Sequence, residues 1–158
     1  MKKHLLSIAI ICGIAASFAF QQESLRKQLI GEWRNVYVKI RMNIYDKNAQ
    51  PMIAEADSSN WETRLQMKPI RTYFKEDNTY YSEYRNLKDS VMRIASGTWS
   101  IKDDSLTMLQ TKPEASTLKL QVSIKNKHAT FSGIIDFAGD GKRDDDYYGI
   151  QKKYSAKP

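Results

Sequence analysis

The stretch Gly31-Glu32-Trp33 and the run behind it to Ile44 leave this chain little choice of local structure. Arg34, Val36, Val38, Ile40, Met42 and Ile44 share one parity, and Asn35, Tyr37, Lys39, Arg41 and Asn43 share the other. Successive side chains of an extended strand point to opposite faces. A period of two over this length therefore predicts a long β-strand with one face against a core and the other toward water or a lumen.

Shorter pieces repeat the pattern downstream. Trp61, Thr63, Leu65 and Met67 alternate with polar residues and predict a second strand over 61–68, stopped at Pro69, which cannot donate to a ladder. Further strands are predicted over 70–75, 79–85, 90–101, 106–110, 118–124, 129–137 and 146–153, with a bulge at Gly97. Residues 46–60 carry no period and read as a loop longer than usual, in which Met52 and Ile53 either form a lid or pack on a rim. Ahead of the first strand, Leu25 and Leu29 stand four apart and predict a short helical turn that ends at Gly31. Eight to nine strands joined mostly by short sequential turns predict an all-β fold. An up-and-down antiparallel β-barrel is preferred over a sandwich, because neighbours in sequence can then be neighbours in space.

The first nineteen residues have another character. Lys2 and Lys3 precede an apolar run from Leu5 to Ala16, and Ser17-Phe18-Ala19 is a small-x-small cleavage pattern. Residues 1–19 therefore read as a secretory signal peptide, with export to the periplasm or exterior; the run falls short of the roughly 20 residues of a membrane span. Cys12, the only cysteine, sits inside this run, with Ala9 and Ile11 where a lipoprotein signal wants a Leu-like and a small residue. The exported chain, 20–158, is then one domain with neither a disulfide nor a thiolate site. Without Lys2 and Lys3 the formal charge falls from +7 to +5. The basic residues alternate with apolar ones along strands, which is the pattern of solvated faces and argues against nucleic acid as a partner.

Leu29-Ile30-Gly31-Glu32-Trp33, the hairpins after it and the closing stretch from Tyr148 to Tyr154 follow one order of parts. In the middle, a phrase from Tyr73 to Tyr80 containing Phe74, Asp77, Asn78 and Thr79 precedes Gly97-Thr98-Trp99-Ser100-Ile101-Lys102-Asp103-Asp104-Ser105-Leu106. This order resembles the lipocalin-like (calycin) domains, in particular the small secreted bacterial type, over most of the exported chain. The resemblance implies a barrel whose Gly31 and Trp33 mark the closed end, with Trp33 beneath a basic side chain of the last strand, where Lys152 and Lys153 stand. It also implies a small, partly apolar ligand in the lumen.

The sharpest local signal for chemistry runs from Asp136 to Asp146. Alternating short carboxylates and glycines resemble a calcium loop, with Asp136, Asp140 and Asp144 giving carboxylates, Lys142 its carbonyl, and Asp145 spare. Ala138 stands where a further ligand is wanted, and Lys142 and Arg143 add positive charge. A solvated polar hairpin is the other reading. His128, beside the turn at Asn126-Lys127, is the only histidine after the signal segment. It leaves no three-histidine metal site, and no nucleophile elbow is present. Tyrosines are the remaining clue. Tyr73, Tyr80 and Tyr84, with Trp61, are candidate ligand contacts, since small-molecule cavities combine aromatic walls with a few polar tips. Tyrosine also simply suits strands.

These observations together predict a secreted, non-catalytic lipocalin-like protein that binds a small hydrophobic or amphipathic molecule and needs no cofactor, unless calcium braces the acidic loop. The alternative is an envelope interaction module with a filled barrel.

Overall fold

A computed structural model describes residues 25–43 and 50–155. The signal segment 1–19, with Cys12, and Ile44 of the first strand lie outside the described residues. Residues 25–29 form a helical turn, α1. It is followed by β1 (Gly31–Met42), β2 (Met52–Asp57), the short helix α2 (Trp61–Leu65), β3 (Arg71–Phe74), β4 (Thr79–Arg85), β5 (Val91–Lys102), β6 (Ser105–Lys112), β7 (Ser116–Lys125), β8 (His128–Ile135) and β9 (Asp145–Ser155).

Every pairing is antiparallel. The strands β1-β3-β4-β5-β6-β7-β8-β9 follow one another around a barrel that β9 closes onto β1, from Glu32 opposite Ser155 to Arg41 opposite Asp146. Each of these eight strands is paired on both sides over at least part of its length. The ninth, β2, lies outside the ring order. β1 gives one edge to β9 and divides the other: Gly31–Arg34 pair with β3, and Tyr37–Met42 pair with β2.

The expected alternation of β1 is interrupted. Its ladder with β9 shifts register between Asn35 and Tyr37, so Val36 is taken up in a bulge. A one-residue slip exchanges the two faces of a strand. Trp33 and Asn35 are consequently buried before the bulge, and Val38 and Ile40 after it, although they differ in parity. Arg34, placed by simple alternation with the valines, lies on the outside and holds Glu32 at 2.7 Å. The irregularity expected at Gly97 is present in the β5–β6 ladder, but its extra residue is on the partner strand: Ser96 pairs with Lys112 and Gly97 with Gln110, so Thr111 of β6 is bulged. A side chain at Gly97 would meet the Leu109 carbonyl oxygen at 1.9 Å, which explains the glycine.

Two expectations are corrected between β1 and β3. Residues 52–57, read as part of a loop, are strand β2. Their own pattern is weak because Met52 and Ile53 are exposed; the strand is specified by the edge that β1 leaves open. The segment read as a strand over 61–68 is the helix α2 and its exit. Trp61 and Leu65 satisfy period two, but they also stand four apart, one helical turn. Local bonds decide between the two. The Asp57 carboxylate accepts the N–H groups of Ser59 and Asn60, and the Asn60 side chain accepts the Asp57 N–H, turning the chain into the helix. Gln66 then ends it in the left-handed region, at φ 54°.

One end of the barrel is plugged. Leu25 and Leu29 of α1 are buried in a cluster with Trp33, Phe74, Trp99 and Leu106. The Arg26 guanidinium donates to the Glu76 carbonyl at 2.7 Å and to Asn78 Oδ1 at 2.9 Å, fastening α1 to the β3–β4 turn. Lys153 Nζ donates to the Gln28 carbonyl and stands 5.3 Å above the Trp33 ring, and Trp33 Nε1 donates to the Leu29 carbonyl. The last strand thus supplies the cation over Trp33, and it is Lys153. No helix among the described residues is long and apolar enough to cross a membrane.

Candidate functional site: an amphipathic lumen

Toward the other end the barrel is not filled. A cavity of about 530 Å³ runs from Phe74 and Leu120, near the plug, to Ser116 and Arg143, where it opens between the β6–β7 and β8–β9 connections. This lies within the range of roughly 300–1,000 Å³ usual for small-molecule sites.

The two sides of the cavity differ in chemistry. Gln151 of β9, Asn35 of β1, Thr72 of β3 and Ser82 of β4 come from four strands adjacent in the barrel and form a polar wall. Gln151 Nε2 donates to Asn35 Oδ1 at 3.2 Å, and the Thr72 and Ser82 hydroxyls bond each other at 3.0 Å. Facing them, Met108, Leu118, Leu120, Phe131 and Ile135 of β6, β7 and β8 form an apolar wall. Among the described residues that line the cavity, only Asp136 and Arg143 carry charge, and both stand at the mouth.

Three tyrosines complete the lining: Tyr80, Tyr84 and Tyr147. Burial pushes Tyr80 and Tyr147 up to about 12 and raises Tyr84 as well, against the lowering influence of Arg93. All three are therefore neutral near pH 7. None of their hydroxyls has a hydrogen-bond partner among the described residues. Tyr147 lies back over Gly149, whose missing Cβ leaves the room; a side chain there would meet the phenol oxygen at 2.4 Å.

Of the four residues expected to touch a ligand, Tyr80 and Tyr84 line the cavity and Tyr73 and Trp61 do not. Tyr73 is on the outer face, stacked on Tyr81 with ring centroids 4.4 Å apart. Trp61 is buried against Val38, Ile40 and Ala56, behind Ile70 and Tyr147, and so backs the lining. The polar wall was missed from sequence. Its one legible signal is the parity of Tyr80, Ser82 and Tyr84, which share the inner face of β4.

The acidic loop is organised by hydrogen bonds between its carboxylates and its own backbone. Asp136 accepts the N–H groups of Gly139, Asp140 and Gly141, and Asp140 accepts that of Lys142. Gly139 and Gly141 sit at φ 72° and 83°, where glycine is favoured. Asp144 offers its carbonyl to the Asn43 side chain. Among the described residues no three of His, Cys, Asp or Glu are grouped to hold a metal ion. The anchor is Asp145, the residue read as spare. It is fully buried and accepts the N–H groups of Phe137 at 2.8 Å, Asn43 at 2.9 Å and Ala138 at 3.0 Å. The Ala138 N–H, with those of Asn43 and Phe137, holds its carboxyl below the ordinary range against the opposing effect of burial. His128 is exposed, its Nδ1 3.0 Å from the Asn126 carbonyl oxygen.

The eight-stranded barrel is compatible with a calycin-like fold. Comparison of the chain with protein-family models and with curated proteins finds no match.

Proposed function

We propose that this chain is an exported, non-catalytic lipocalin-like binder that carries a small amphipathic molecule in its lumen. The observation that supports this reading most is the cavity of about 530 Å³, with an apolar wall facing a polar one and charge confined to the mouth. A filled barrel would have closed that space with its own side chains. The second reading, an interaction module of the envelope, draws support from exposed apolar residues toward the open end, among them Met52, Ile53, Leu87, Met92 and Phe137. The same residues suit the rim of a site that receives apolar molecules.

Native mass spectrometry of the protein purified gently from its host tests the reading. The expected result is an organic adduct, one per chain, that is lost on denaturation. A bare chain that also fails to bind para-hexylphenol saturably in a calorimetric titration would overturn lumen binding and leave the interaction module.

A further inference from the structure

The apolar surface that the barrel leaves uncovered gathers at one connection. The β4–β5 hairpin exposes Leu87, Val91, Met92 and Ile94, each between 43% and 57% accessible. The turns at the plug end, 76–78, 102–104 and 125–127, are exposed and polar instead. The hairpin also projects. β6 ends at Lys112 opposite Ser96, so residues 91–95 of β5 pair with β4 alone. Its tip is ordered by its own bonds. The Asn86 N–H donates to the Ser90 carbonyl at 3.0 Å, Asn86 Oδ1 accepts the N–H groups of Lys88 and Ser90, and Arg85 donates to the Asp89 carbonyl at 2.6 Å. Large apolar residues that stay exposed together on an ordered hairpin mark a docking surface.

We propose that this hairpin docks one side of the barrel's mouth on an anionic lipid surface, with Leu87, Val91 and Met92 among the head groups and the neighbouring bases on lipid phosphates. Charge decides for that occupant. The acids of the hairpin are already taken, Glu83 by Arg85 and Asp89 by Arg71, each at 2.8 Å. Lys88, Arg93 and Lys112 have no carboxylate partner among the described residues. Glu114, two residues beyond Lys112, offsets one of the three. Apolar tips beside an excess of bases fit a layer that presents phosphates above hydrocarbon. A turn whose polar groups bond one another suits that depth, where a bare backbone group is costly. The acidic β8–β9 connection, with exposed Phe137, lies half a turn away around the eight-stranded ring, so the barrel docks hairpin side down. Arg93 stands 5.4 Å over the ring of Tyr84, which places the docked side next to the lumen. The inference rests on this surface and not on the carrier reading.

Flotation of the intact protein with vesicles tests it, using equal parts phosphatidylglycerol and phosphatidylcholine against phosphatidylcholine alone. The anionic vesicles are expected to bind at least about tenfold more tightly at about 0.1 M salt, with most of the difference lost at about 1 M. Leu87→Ser combined with Met92→Ser leaves the charge unchanged and should weaken binding to the anionic vesicles at least about tenfold. Lys88→Gln combined with Arg93→Gln should weaken it by about as much through the charge. Phe137→Ser removes a comparably exposed apolar side chain across the ring and should stay within about twofold of wild type. Titration of the Leu87→Ser/Met92→Ser protein with para-hexylphenol should match wild type, since neither residue lines the cavity, so docking and lumen binding are read separately.

Binding to neither kind of vesicle would overturn the proposal, and equal binding to both would overturn its choice of an anionic surface. Phe137→Ser as damaging as the Leu87→Ser/Met92→Ser pair would take the assignment away from the hairpin. Undiminished binding by that pair, with loss only in the Lys88→Gln/Arg93→Gln protein, would reduce the contact to adsorption by charge and remove the apolar tip from it. A dimer seen by sedimentation without lipid, and dissociated by Leu87→Ser/Met92→Ser, would give the hairpin to a second copy of this chain instead.

Discussion

Strand β4 carries Tyr80 and Tyr84 on its inner face and Tyr81 on its outer face, one peptide unit away from Tyr80. Outside, Tyr81 stacks on Tyr73 at 13° between ring planes, with Lys75 Nζ 5.3 Å above its ring. The charges around them are matched: Arg85 holds Glu83, and Arg71 holds Asp89, each at 2.8 Å. Inside, the phenol oxygens have no hydrogen-bond partner among the described residues, and the Gln151 carbonyl beyond them is an orphan. On the outer face the Tyr73 and Tyr81 hydroxyls likewise have no hydrogen-bond partner among the described residues, and it is the rings that are engaged. The inner face is closely packed near the plug, where Phe74 lies edge-on against Trp99 at 5.3 Å. Matching residue types thus have different surroundings: the outer rings close on each other, and the inner ones border open space.

The contrast can be broken or sharpened by substitution, and the largest effect belongs near the plug. Phe74→Ala should destabilise the fold by about 3–5 kcal/mol in urea unfolding, as expected for an aromatic side chain removed from a packed core. A loss below about 1 kcal/mol would mean that this end is as open as the other. Next comes the mouth. Asp145→Asn should cost about 2 kcal/mol near pH 7, since it weakens charge-assisted hydrogen bonds to buried N–H groups. Because the folded carboxyl titrates below its unfolded value of about 3.9, the wild-type advantage is complete above that value. It is lost as pH falls through the lower folded value, so the two stability curves should converge on acidification. A gap that widened in acid would reverse the assignment.

On the outer face, a double-mutant cycle on Tyr73 and Tyr81 should return a coupling of about 0.5–1.5 kcal/mol for the stacked pair. The smallest effect is expected inside. Tyr84→Phe removes a hydroxyl that bonds nothing among the described residues, so unfolding midpoints should shift by no more than about 0.5 kcal/mol, in either direction. A clear destabilisation would show that the protein itself satisfies this phenol.

Much of the barrel was legible because hairpin turns and period-two runs are local signals. The boundaries of β4 were read directly, and those of β5, β7 and β9 to within a few residues. What escaped depends on partners distant in sequence. β2 exists because β1 has an edge to give. α2 arises from a turn at Asp57 and Asn60, although its sequence alternates equally well as a strand. The bulge at Val36 exchanges the faces of β1, and only with it do Trp33 and Val38 both point inward. The same holds at the site. Tyr80 and Tyr84 were readable from parity, but the polar wall is assembled from one residue on each of four strands. No window of sequence contains Asn35, Thr72, Ser82 and Gln151 together. Asp145 was undervalued because spacing shows which acids sit near one another, and burial decides which of them holds the loop.

The divided edge of β1 makes the girth of the molecule unequal in kind along its axis. Around the plug, a hoop of backbone hydrogen bonds passes from β1 to β3 without interruption. Toward the mouth the hoop has a seam: β1 hands its edge to β2, and Trp61 packs side chain to side chain against Val38, Ile40 and Ala56 behind Ile70 and Tyr147 of the lining. Widening a hydrogen-bonded hoop breaks backbone bonds, whereas a seam of packed side chains can shift by changes of rotamer. Expansion at the mouth would therefore break fewer backbone hydrogen bonds between β1 and its neighbour in the ring than expansion at the plug.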